Sequence, residues 1–235
     1  MALTQKSGRI LGFLFLLTVL AGATGTAFRG LGGAEANSTA FLEEIMQHMG
    51  QMKLAISLDI LASAIAVGIA LFVFAFIKKY DQRLANAYLT IAGINFTIIV
   101  VSNIIHVSLL SLSEEFAVTS AATTDHFTTL AKVLYDAYYW THFLMLILYS
   151  LGGSVLYYFL FKTKLVPGWL SVWGILASIV VFCGGAFQLA DIKVSGLLFV
   201  QNGIYVLTFI AWLLIKGFNP MYIRELEVNA KDVYN

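Results

Sequence analysis

Six stretches of this chain are each long and apolar enough to cross a hydrocarbon core: about 10–28, 54–77, 85–110, 141–161, 168–189 and 196–215. That core takes about 20 residues of helix, rising about 1.5 Å each. With no water in the layer to satisfy backbone groups, such runs fold as helices, and they lack the strict alternation of a barrel strand. The pattern predicts an all-α, polytopic membrane bundle of six transmembrane helices within residues 1–217. A short polar tail, FNPMYIRELEVNAKDVYN, follows over 218–235. Composition agrees, because 60% of residues are hydrophobic and 11% charged, against roughly 25% charged in a soluble domain.

Charge placement gives the orientation. Lys6, Arg9, Lys78, Lys79, Arg83, Lys162, Lys164, Lys216, Arg224 and Lys231 fall on one side, and only Arg29, Lys53, Lys132 and Lys193 on the other. Juxtamembrane Lys and Arg resist translocation, so both termini are expected in the cytoplasm. Lys6 and Arg9 followed by ILGFLFLLTVLAGATGTA also fit a signal peptide. Its cleavage would leave five spans and the same orientation for the rest.

The basic-side connections, KKYDQR and KTKLVPG, are tight, and Pro167 restarts a helix while disfavouring helix at Val166. In the first external loop Leu42, Ile45, Met46, Met49 and Met52 recur at helical spacing, with Glu43, Glu44, Gln47 and Gln51 between them. That spacing predicts a short amphipathic helix on the outer surface. Glu114, Glu115 and Asp125 are expected in the second external loop, Asp125 as the N-cap of a fourth helix that begins well outside the bilayer.

The net charge of +1 gives no field for nucleic acid, and the lone Cys183 admits no intrachain disulfide. There is no phosphate loop, nucleotide fingerprint or Ser-His-Asp spacing, and no internal repeat of the kind that marks many secondary transporters. Gly152, Gly153 and Ser154, then Gly184, Gly185 and Ala186, are placed for close helix approach.

Three short segments carry a family resemblance. GRILGFLFLLT in the first span (Arg9, Gly12), FKTKLVP ahead of the fifth and WLLIKGFN closing the last (Trp212 to Asn219) resemble a family of uncharacterised prokaryotic multi-pass membrane proteins, domain of unknown function 4386. The resemblance implies a six-span fold in a cell (inner) membrane and offers no reaction, substrate or cofactor. The family pattern has an arginine after the proline, where this chain has Gly168, and a glutamate early in the last span, where it has Val206. A role resting on either side chain does not carry over.

Ionisable groups at membrane depth are functional candidates, because burying charge there is costly. Counted from the basic ends, Asp59 lies 19 residues from Lys78, His106 23 from Arg83, His142 20 from Lys162, and Gln188 21 from Pro167. All four fall roughly 30 Å up, as one polar layer near the outer boundary. Asn95, Ser102, Asn103 and His106 share a face of the third span, and Gln201, Asn202 and Tyr205 begin a similar patch on the last. The bland explanation is interhelical bonding and access to interfacial water, with Tyr138, Tyr139 and Trp140 in an aromatic belt.

Three functional readings stand beside it. Asp59, His106 and His142, with Asp136, have side chains that ligate zinc for hydrolysis, although no HExxH pair is present. His106 and His142 could ligate a haem between two helices. The least demanding reading is an outward polar pocket that binds a small molecule or lipid without chemistry. The expectation is therefore a non-enzymatic binding or accessory protein with no cofactor, whose one required partner is the lipid bilayer.

Overall fold

The computed structural model describes residues 3–29, 35–119 and 124–223. Its helices are α1 (Gln5–Arg29), α2 (Thr39–Gln47), α3 (Met49–Tyr80), α4 (Gln82–Val118), α5 (Thr124–Thr163), α6 (Gly168–Leu189) and α7 (Leu197–Ile215). All but α2 are long and apolar enough to cross a membrane. The spanning helices pack in chain order, each against the next, and α7 returns to α1. The result is a closed ring with short connections. Its terminal end holds the start of α1 and the finish of α7, and its loop end holds α2.

The tight turns at the terminal end have local causes. Asp81 leaves helical geometry (φ −152°, ψ 114°) and its carboxylate accepts from the amides of Arg83 at 2.7 Å and Leu84 at 3.1 Å. One residue thus stops α3 and caps α4. Between α5 and α6, Leu165 and Val166 are buried ahead of Pro167, the N-cap of α6.

Small residues set the helix spacing. A Cβ on Gly12 would stand 2.8 Å from Leu213 Cβ, so α1 meets α7 through that glycine. On Gly153 it would stand 2.9 Å from Ser178 Oγ, and on Gly185 2.9 Å from Ile147 Cγ1. The expected close approaches of α5 and α6 occur at both. Inside the ring, Tyr205 and Phe209 of α7 are buried against Tyr157 of α5, with ring centroids 5.0 and 5.6 Å away.

Helix length at the loop end departs from the expected spans. Helix α4 runs on to Val118, beyond the expected span end near 110, whereas α5 begins at Thr124, well outside the 141–161 span as the Asp125 reading expected. With 40 residues, α5 is about 60 Å long, about twice a hydrocarbon core. Residues 114 and 115, expected in a loop, are therefore helical, and Glu114 pairs with Lys53 at 3.7 Å. Asp125 lies inside the first turn of α5 rather than capping it, and residues 120–123 lie outside the described ones.

The projecting ends build a cap with its own core. Phe41, Leu42 and Ile45 of α2 are buried with Met52 and Ile56 of α3, Leu109 and Leu110 of α4, and Ala131 of α5. Ser113 Oγ donates to the Leu42 carbonyl across this core, and Phe41 meets the Tyr135 ring edge-on at 5.6 Å. The amphipathic helix thus exists but covers protein instead of lying free on the outer surface. It is also shorter than the apolar spacing implied, since His48 leaves helical geometry (φ −110°, ψ 18°) and assigns Met49 and Met52 to α3.

At the terminal end, Gly217 takes a positive φ of 66°, a conformation glycine adopts without penalty. The chain then folds back: Asn219 N donates to the Leu165 carbonyl at 2.9 Å, and Phe218 and Ile223 are buried. The first six residues of the expected tail pack on the bundle. The remainder, 224–235, lies outside the described residues.

Candidate functional site

Where the ring meets the cap, four helices bring charged and aromatic groups together. Gly25 and Arg29 share a face of α1, one turn apart, as do Ala55 and Asp59 on α3. A Cβ on Gly25 would stand 3.0 Å from Asp59 Oδ1 and 3.3 Å from the Ala55 carbonyl. Glycine there lets α1 approach until the Arg29 guanidinium pairs with the Asp59 carboxylate. Their side chains keep only 10% and 18% of their exposure. A lone charge at such a position would be costly, and pairing offsets most of that cost.

The guanidinium also lies 5.6 Å from the ring centroid of Tyr138 on α5. Behind that ring sits His106 of α4, fully buried, with its imidazole centroid 4.4 Å from the Tyr138 centroid. His142, one turn along α5, packs against the same ring at 6.2 Å. The imidazole of His106 reaches back toward the Ser102 backbone. Neither of its nitrogens has a partner of acceptable hydrogen-bond geometry among the described residues, and Arg29 Nε has none either.

The stripe on α4 continues inward. Asn103 is buried and donates to the Ile99 carbonyl of its own helix at 2.9 Å; its Oδ1 and Asn95 Oδ1 have no partner among the described residues. Ser102 is half-buried beside them. Buried polar atoms are paired in the great majority of cases. So many orphans along one face of one helix set this region apart.

The other sequence candidates go elsewhere. Gln188 accepts a bond from the Tyr139 hydroxyl at 3.2 Å, between α5 and α6. Asp136 is bound by Lys132 at 2.9 Å on the open face of α5. Gln201 reaches the Ala177 carbonyl at 3.5 Å and Asn202 interacts with Tyr149. Tyr205 fills the space over Gly174, where a Cβ would come within 2.6 Å of its Cζ. These last three connect α7 to α5 and α6 on the far side of the ring.

Sequence reasoning missed Arg29 and Tyr138, taking one for a loop charge and the other for a belt residue. The Gly25 and Arg29 spacing facing Asp59 was the available signal. Metal chemistry on the expected ligands finds no support in this arrangement. The Asp59 carboxylate is engaged by a cation, Asp136 is held by Lys132, and among the described residues no three His, Cys, Asp or Glu side chains are grouped to hold a metal ion. Both imidazoles lie against the Tyr138 ring.

The family model for DUF4386, a domain of unknown function, matches residues 10–217, from early α1 past the end of α7. The chain belongs to the DUF4386 family. That match covers every ring helix, and with it the Arg29, Asp59, Tyr138, His106 and His142 cluster of this DUF4386 protein. No curated protein and no solved structure matches the chain.

Proposed function

We propose that this multi-pass protein sits in the cytoplasmic membrane of a prokaryote, termini inside, and binds a small polar molecule or lipid headgroup at its outward-facing loop end without converting it. The observation that carries the reading is His106: fully buried, its imidazole turned back toward the Ser102 backbone, with neither ring nitrogen in a well-formed hydrogen bond among the described residues. Leaving such groups unmade costs about 1–3 kcal/mol each, and a ligand that supplies partners recovers that energy. Arg29 and Asp59 neutralise one another, so the site favours a neutral or zwitterionic ligand rich in hydrogen-bonding groups. The Tyr138 ring supplies an apolar wall.

The test is native mass spectrometry of the full chain extracted in mild detergent. The wild type is expected to retain a small non-protein mass that His106→Phe loses, the phenylalanine keeping the buried ring. Lys132→Ala, on the exposed face of α5, should retain it. Identical spectra for wild type and His106→Phe would reject the proposal.

A further inference from the structure

A second site lies at the opposite, terminal end. There a cavity of about 790 Å³ opens between the α5–α6 turn and the segment after α7, lined by Lys162, Lys164 and Lys216 with Phe161, Trp212 and Tyr222. No carboxylate contributes to its wall among the described residues. Three ammonium groups around one concavity repel each other, and an anion relieves that repulsion. Two of them keep company with aromatic faces: Lys164 Nζ is 5.5 Å from the Tyr222 centroid and Lys162 Nζ 5.8 Å from that of Tyr158.

The backbone around the cavity is fixed. Lys164 holds a φ of 54°, unusual for a side chain with a Cβ. Gln5 Nε2 donates to the Lys216 carbonyl at 2.8 Å, and Asn219 ties to Leu165. The lysines therefore project from a rim tied by backbone and side-chain hydrogen bonds. Phe161 of the rim and the neighbouring Trp169 are 42% and 55% exposed in the bundle, so the cavity borders an apolar flank of the kind that faces lipid. Indole rings favour that boundary, where one edge is apolar and the other wet.

We infer that Lys162, Lys164 and Lys216 form a binding site for a phosphate-bearing anionic headgroup, with Phe161 and Trp169 against the acyl chains of the lipid that carries it. Diffuse attraction of basic residues to an anionic leaflet is general. A built site differs in depending on these three lysines and not on others at the same end. The site is separate from the His106 cluster, and neither reading depends on the other.

The experiment uses the full chain in nanodiscs of phosphatidylcholine doped with phosphatidylglycerol of matched acyl length, with bound lipid counted by native mass spectrometry. The wild type is expected to retain phosphatidylglycerol over phosphatidylcholine. The triple variant Lys162→Gln, Lys164→Gln, Lys216→Gln should weaken that retention by on the order of tenfold to a hundredfold. A control removing three charges outside the cavity, Lys6→Gln, Lys78→Gln, Arg83→Gln, should change it less than about threefold. Equal retention in wild type and triple variant together with no lysine-dependent binding of glycerol 3-phosphate in the parallel arm below, or equal loss in the control, would overturn the inference. In a parallel arm, glycerol 3-phosphate is titrated into detergent-solubilised protein without anionic lipid. Binding there that vanishes in the triple variant, with no preference for phosphatidylglycerol in the discs, supports the anion site and assigns it to a soluble phosphate ester.

Discussion

Removing the Asp59 carboxylate tests whether the Arg29 pair organises the loop end. Asp59→Ala leaves a guanidinium at 10% of its free exposure, with the Tyr138 face at 5.6 Å as its remaining attraction. Breaking a buried pair from one side costs about 3–5 kcal/mol, and we take the lower end because both side chains keep some exposure. The expected loss is about 3 kcal/mol, a shift of about a hundredfold in the folding equilibrium. Unfolding in mixed micelles, followed by tryptophan fluorescence, measures it. Arg29→Met should cost a comparable amount, and the double variant less than the sum of the two by about 2 kcal/mol. Additivity within about 0.5 kcal/mol would show that the two charges do not stabilise one another in the fold. Gly25→Leu offers an independent check, since it forces α1 away from Asp59 while leaving both charges in place.

Three further outcomes follow from the packing. Gly12→Leu should destabilise the bundle by about 1–3 kcal/mol through the α1–α7 seam, and Leu213→Ala should recover part of the loss, because Leu213 is the side chain that Gly12 meets. Ser113→Ala removes the donor to the Leu42 carbonyl inside the cap; it should cost about 1–2 kcal/mol and speed hydrogen exchange in α2 while leaving α6 and α7 unchanged. Proposed orientation is read by cysteine labelling in a Cys183→Ala background: a membrane-impermeant maleimide should reach Lys53→Cys on intact cells and Lys164→Cys only after permeabilisation. Labelling in the reverse pattern would invert the topology.

The ring of six was legible because each span is longer than any soluble helix of comparable apolarity needs to be, and tight turns such as the one at Asp81 leave neighbours no choice but antiparallel packing. The cap was legible in part: α2 and the outward start of α5 were expected, but the extension of α4 and the burial of α2 against it were not. Nothing in the polar sequence just after Leu110 distinguishes a continuation of α4 from a loop. Met49 and Met52 misled for a related reason: a helical period survives the break at His48, which depends on backbone angles and not on side-chain polarity. Depth counting placed Asp59, His106 and His142 at one level, and the structure brings those three around Tyr138 and Arg29. Depth alone cannot give azimuth, and Gln188 and Tyr205 face other interfaces of the ring.

The most direct test of the binding account is a cryo-electron microscopy map of the full chain in nanodiscs made from native lipid extract, inspected at the junction of ring and cap. The account predicts non-protein density within about 3 Å of both the His106 imidazole and the Arg29 guanidinium, lost in His106→Phe while the helices keep their positions. A map in which protein side chains close around His106 and satisfy both of its nitrogens, with no such density, would contradict it.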